Sequence, residues 1–113
     1  MTDITIGNDY ELGVRLTKNG QPFNIDPQHI IKATVVSADN SARYFDPLTV
    51  SPAVPGTDLS QSLIIVRFLR AQTMAINKQG PAKIEIEITE DQGNGFKHPS
   101  WFVPVRCIKG QIL

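Results

Sequence analysis

The chain has 113 residues, which is enough for one domain with a sizeable core and too few for two. Eleven basic residues balance eleven acidic ones, so neither nucleic acid nor an anionic membrane surface is an expected partner, and self-association meets no charge repulsion. The single cysteine, Cys107, excludes an internal disulfide and a cysteine-based metal cage, and indicates a buried, reduced thiol in a protein made in the cytosol. We expect no secretory signal, because residues 1–4 do not begin a basic segment followed by an apolar run, and no membrane span, because the longest apolar run covers only residues 63–66.

The first third of the chain predicts short strands joined by turns. Residues 4–6 are a candidate opening strand, and residues 10–17 alternate apolar with polar side chains, as a half-buried strand does. Asn19-Gly20 is the strongest short hairpin signal, so a turn follows. Residues 22–25 continue as a short extended piece, and Pro22 favours a sheet edge.

The middle of the chain predicts a strand, a turn and a loose segment. Residues 31–37 read as a strand, residues 38–41 as a turn and residues 42–45 as a returning strand. The segment 47–62 carries three prolines, which rule out a helix and discourage pairing inside a sheet. Its apolar residues either fold back onto the core, the interpretation we favour, or await a partner surface.

The last half predicts the strand around which the fold is organised. Residues 62–69 form a strand that is buried on both faces or nearly so, and residues 70–77 form a short helical piece. Within the stretch 81–90, residues 82–89 alternate strictly, with an alanine and three isoleucines on one face and three charged residues and a threonine on the other, which predicts a central strand. Residues 101–108 alternate again, and Pro104 within them indicates an edge or a bulge, before a tail.

Together these elements predict an all-β fold: an antiparallel, Ig-like β-sandwich of about seven to eight strands with at most one short helical turn, in a single domain over residues 1–113. "Ig-like" describes architecture only, since the paired cysteines of immunoglobulin domains are absent.

No cluster of residues predicts chemistry. His29 and His98 are far apart in sequence, and we expect two solvated loop histidines rather than a metal or catalytic site, which would require them to meet near Cys107 or a carboxylate. Glu85 and Glu87 share the polar face of the central strand with a lysine, as on a solvated face. We therefore expect no enzymatic activity, no catalytic residue, no metal and no cofactor.

The order of the patterns across the chain resembles the small Ig-like N-terminal modules of upper baseplate and tail-fibre-attachment proteins of tailed phages. The resemblance lies in diffuse strand patterns that cover most of the chain: residues 8–16, 19–22, 31–36, 63–68, Thr73, Gly80, 82–89, 101–105 and 109–110. It implies a protein that docks fibres or receptor-binding proteins onto the virion in rings or trimers and catalyses nothing. Baseplate versions continue into further domains, whereas this sequence stops at Leu113.

The leading hypothesis is thus a non-enzymatic virion structural protein, made in the bacterial host cytoplasm, that forms homo-oligomers and bridges or anchors other virion proteins of the baseplate, tail fibre or an adaptor. Edge strands and apolar patches are where β domains join. Its alternatives are a capsid decoration protein and a carbohydrate-binding or adhesin-like module using Trp101 and Tyr44, which is possible but not favoured. A hydrolase or metalloenzyme is a third class. The predicted interface residues are Leu48, Val50, Val54, Trp101 and Phe102.

Overall fold

A computed structural model describes residues 2–23, 25, 29–52, 63–90, 92 and 94–109, with the backbone alone at residues 51–52. Nine strands and one short helix follow one another along these residues. They are β1 (Thr2–Ile6), β2 (Tyr10–Arg15), β3 (Thr17–Lys18), β4 (Gln21–Pro22), β5 (Ile30–Ser37), β6 (Leu48–Pro52), β7 (Leu63–Phe68), α1 (Arg70–Met74), β8 (Gly80–Thr89) and β9 (Trp101–Lys109). The predicted all-β, sandwich-like fold with one short helical turn is confirmed.

Seven of the strands form one curled sheet in the order β1-β9-β8-β5-β6-β7-β2. Every neighbouring pair is antiparallel except β1 and β9, which run parallel. Strand β6 pairs with β5 through residues 48–50 and with β7 through residues 51–52. The sheet therefore bends at β6, and its two halves face each other across a shared core.

The alternation of β8 positions the core as its sequence predicts. Ala82, Ile84, Ile86 and Ile88 are 4%, 0%, 0% and 0% exposed, and they pack with inward residues of β5, β7 and β9. Strand β8 lies between β5 and β9, so its central position is also confirmed. β-branched side chains suit a pleated, half-buried surface, so the alternation along this strand itself indicates which face is buried.

The predicted hairpin at Asn19-Gly20 is confirmed. Strands β3 and β4 pair across it as a separate two-stranded sheet, and both turn residues have positive φ, 55° for Asn19 and 78° for Gly20. A turn of this type matches the twist of its flanking strands, and asparagine and glycine tolerate its backbone best. Pro22 lies in this hairpin and Pro104 lies just before the segment of β9 that β1 covers, so neither proline interrupts a fully paired strand.

Two expectations for the middle of the chain are wrong. Residues 42–45 do not form a returning strand, because only Arg43 makes a bridge, to Val36, before the chain bends. Residues 48–52 are not a loop but strand β6, in the interior of the sheet. The prolines predicted a loop, but Pro47 precedes the strand and Pro52 ends it, and at these positions a missing N–H costs the sheet the fewest hydrogen bonds.

Candidate functional site

The connection from β8 to β9 folds His98 back beside the end of β8. Glu90 follows the last residue of β8, and its backbone N–H donates a hydrogen bond to the carbonyl of Phe96 (2.9 Å). The backbone N–H of His98 donates to the carbonyl of Ile88 at the same distance. These two bonds hold Glu90 and His98 at the same end of the sheet.

The register between β5 and β8 brings His29 to that end as well. Ile30, the first residue of β5, lies opposite Thr89, the last residue of β8. His29 therefore lies directly before β5, at the level at which Glu90 leaves β8. The two histidines, 69 positions apart in sequence, thus meet at one carboxylate.

The three side chains form a compact donor set. His29 Nε2 lies 3.8 Å from Glu90 Oε1, and His98 Nε2 lies 3.3 Å from Glu90 Oε2. One donor atom from each residue lies within 4.8 Å of the other two. The imidazoles are 6% and 12% exposed and the carboxylate 43%, so the expectation of two solvated histidines is wrong. Two imidazole nitrogens and a carboxylate oxygen could hold a divalent metal ion.

An aromatic wall covers the histidines on the core side. The Phe23 ring meets His98 edge-on at 4.9 Å between centroids and lies 5.6 Å from His29. Trp101 stands edge-on to Phe23 at 5.0 Å, and its indole N–H donates a 2.8 Å hydrogen bond to the carbonyl of Thr17. On the solvent side, the exposed Phe96 ring contacts His98 at 4.9 Å. The wall fixes the orientation of the imidazoles.

The predicted interface residues occupy different environments. Leu48 and Trp101 are half-buried against the core, and Val50 is a core residue that is 8% exposed. Val54 lies outside the described residues. Phe102 is 45% exposed on β9, with the Lys83 ammonium 4.7 Å from the centre of its ring. The interface role of all five stays a prediction.

Among the residues that the structure describes, three further large apolar side chains are exposed and were not predicted: Leu69 (55%), Met74 (57%) and Phe96 (61%). Leu69 and Met74 lie at the two ends of α1, which is five residues long. A helix that short buries one side chain well, here Thr73, and leaves the others outside. The shortness of the helical segment in the sequence could have indicated that Leu69 and Met74 are exposed.

The carboxylates on the outer face of β8 are charge-balanced. Glu85 lies 3.7 Å from the guanidinium of Arg43 and accepts a 2.9 Å hydrogen bond from the Ser100 hydroxyl. Glu87 lies 3.2 Å from Lys97 and 3.9 Å from Arg43. Both side chains are less than a fifth exposed, so they are more covered than a solvated face suggests. Paired in this way, they hold structure rather than present an acid and a base.

Cys107 is a buried thiol at the inward face of β9, 1% exposed. Burial raises its pKa above the ordinary value, because desolvation penalises the thiolate. A thiol in this state is a poor nucleophile, as expected for a small core hydrophobe.

No protein-family model matches the chain, and no curated protein matches it in sequence. Among the described residues, no helix is long and apolar enough to cross a membrane, since α1 has only five residues. The class of protein is defined by its fold and its site alone: a small sandwich-like β domain with a histidine–carboxylate cluster at one end of its sheet.

Proposed function

We propose that this chain is a non-enzymatic structural protein of a phage virion, which self-associates and bridges other virion proteins. The virion setting rests on the resemblance of its strand pattern to phage baseplate and fibre-attachment modules. The observation that carries the assembly role is the exposure of large apolar side chains, of which Phe102 lies within the regular strand β9.

Phe102 is well suited to an interface because it is displayed by a rigid element. Its backbone pairs with Glu85 of β8, so the ring is held on the outer face of the sheet. Aromatic side chains that bury a large apolar area at a fixed position are frequent energetic centres of protein interfaces. Charge does not oppose contact between copies, because the net charge of the chain is zero.

The ends of the sheet add a second mode of contact. Among the described strands, β1 and β2 each pair on one side alone. An unpaired strand edge presents free backbone donors and acceptors to another chain, and strand addition is a common route by which β domains join. We propose that partners dock on β1 or β2 and that the Phe102 face closes the contact between copies.

Sedimentation of two variants tests the self-association step. Phe102→Ser removes the exposed ring, and Arg67→Ser, at an exposed position on β7, is the control. The proposal predicts a smaller oligomer or weaker association for Phe102→Ser and no change for Arg67→Ser. Identical association of the wild type and both variants would contradict the role of Phe102.

A shallow cavity beside Phe102 favours one second candidate, a carbohydrate-binding module. The cavity has a volume of about 370 Å³, and its lining combines the Phe102 ring with Arg43, Glu85, Asn40 and Ser41. Sugars bind to such pairings of an aromatic face with planar polar groups. Heat of binding in a calorimetric titration with glycans, lost in Phe102→Ser, would favour this candidate, because the Phe102 ring lines the cavity. No heat from any member of a glycan panel would count against it.

A further inference from the structure

We propose that His29, Glu90 and His98 bind a divalent transition-metal ion, with zinc as the best fit, at the end of the sheet where β5 begins and β8 ends. This site goes beyond the assembly role and does not depend on it. The ligand atoms are His29 Nε2, His98 Nε2 and one oxygen of Glu90, and the fourth position is left to water or another exchangeable donor.

The donor types match this class of metal. Imidazole nitrogen suits zinc, copper, nickel and iron, whereas calcium and magnesium prefer oxygen ligands alone. Two histidines and one glutamate are a recurrent three-ligand set for zinc, which completes a tetrahedron with a non-protein ligand. The lone cysteine takes no part, because it is buried within the core.

The spacing requires a small adjustment. In a tetrahedral site with bonds of roughly 2.0–2.1 Å, neighbouring donor atoms lie about 3.3 Å apart. His98 Nε2 is already 3.3 Å from Glu90 Oε2, and His29 Nε2 is 3.8 Å from the other oxygen. Glu90 is the most exposed of the three side chains, so its carboxylate can rotate to close the set around an ion that enters from solvent.

His98 provides an independent sign of a ligand. Its Nε2 atom is buried and, within the described part of the chain, makes no hydrogen bond, although Glu90 Oε2 is at contact distance. A buried polar nitrogen without a hydrogen bond is costly and uncommon. The atom lies 3.3 Å from Glu90 Oε2 without forming a hydrogen bond to it, and a metal ion between the two would satisfy both.

The surroundings hold the two imidazoles in place before the ion arrives. Phe23 contacts both rings, and the backbone hydrogen bond from His98 to Ile88 fixes the position of that residue. Preorganised ligands lose less freedom on binding. Lys18 is the opposing feature, since its ammonium lies 3.5 Å from His98 Nδ1 and its charge repels a cation. Because Lys18 is exposed, it can move away when a metal ion binds.

Calorimetric titration of the untagged full chain with Zn²⁺ tests the proposal. We expect one equivalent to bind, with a rise in melting temperature of about 10 °C when free Zn²⁺ is about 100 times the Kd. Titration with Co²⁺ gives a second readout that needs no variant, because a tetrahedral site with nitrogen ligands produces strong visible absorption.

Two isosteric variants locate the site. Glu90→Gln removes the carboxylate ligand, and we expect more than about 100-fold weaker binding, since loss of even an outer-shell partner costs 10- to 100-fold. Glu11→Gln changes a comparably exposed carboxylate that pairs with Arg67 on β7, and it should bind zinc like the wild type.

A third variant tests the charge beside the site. Lys18→Gln should tighten binding about three- to tenfold, because a repelling charge is lost.

The outcomes separate a metal site from a plain ion pair. The proposal is overturned if Zn²⁺ produces neither heat nor a melting shift at millimolar concentration. It is equally overturned if Glu90→Gln and Glu11→Gln bind zinc with the same affinity, which would indicate adventitious binding elsewhere. One equivalent of zinc, lost in Glu90→Gln, retained in Glu11→Gln and tightened in Lys18→Gln, supports it.

Discussion

The hydroxyl of Thr73 is the point at which α1 is fastened to the sandwich, and its removal gives a quantitative test of the fold. Thr73 is fully buried. Its Oγ1 accepts a 3.1 Å hydrogen bond from the backbone N–H of Gly7 and donates a 2.8 Å bond to the carbonyl of Asn8. One side chain thus satisfies one backbone donor and one backbone acceptor of the turn between β1 and β2.

Thr73→Val keeps the shape of the side chain and deletes both hydrogen bonds, together with a longer one from Oγ1 to the carbonyl of Arg70 (3.2 Å) within the helix. Each of the two backbone groups left without a partner costs about 1.5–2 kcal/mol, within the range of roughly 1–3 kcal/mol for an unsatisfied group, because both are only part-buried. The added methyl returns about 0.8 kcal/mol through burial. We therefore expect a loss of about 2–3 kcal/mol in the free energy of unfolding. Thr73→Ser keeps the hydroxyl and loses one methyl, so its cost is about 1 kcal/mol.

Urea unfolding followed by the fluorescence of Trp101 measures both values. With an m-value between about 1 and 3 kcal/mol per molar urea, Thr73→Val should lower the midpoint by roughly 0.7–3 M. The order of the two variants decides the question. A Thr73→Val protein within about 0.5 kcal/mol of the wild type, or more stable than Thr73→Ser, would refute the role assigned to the hydroxyl.

Three further predictions concern buried residues. Burial raises the pKa of Tyr10 to about 12. The contribution of the neutral Tyr10 side chain to the free energy of unfolding is therefore complete below pH 10 and is lost as the pH rises from 10 to 12. Urea unfolding of Tyr10→Phe should show a smaller loss of stability than the wild type over that range, and equal losses would contradict this. Ile86→Ala should cost about 2–5 kcal/mol and Ile86→Val about 0.5–1.5 kcal/mol, since Ile86 is fully buried in β8; calorimetric melting checks both, and a near-neutral alanine variant would place Ile86 outside the core. Cys107 should react with a thiol reagent only after unfolding, and rapid labelling of the native protein would show that β9 is not packed as described.

The strands that carry their own pattern could be predicted from the sequence. Residues 82–88 alternate with β-branched side chains, and Asn19-Gly20 adopts the positive φ values that its turn requires. In both places the information is local, since the choice of face or turn depends on adjacent residues. Strand β6 could not be predicted from local residues, because prolines stand at its borders and its place between β5 and β7 depends on strands that are distant in sequence.

The candidate site could not be predicted because it depends on register. His29 and His98 meet only because Ile30 pairs with Thr89, which is a property of two strands together. A position within two residues of a proline in a polar segment indicates solvent exposure for each histidine taken alone. The aromatic residues that cover them, Phe23 and Trp101, come from two further segments. No pattern within any one segment carried that information.

Static light scattering of the purified protein over a wide concentration range tests the central claim, that this domain works by assembling. We expect a mass that is a fixed multiple of 12.5 kDa and independent of dilution, as for a closed ring or spike. A mass of 12.5 kDa at every concentration would contradict self-association and would leave a protein that binds its partners singly.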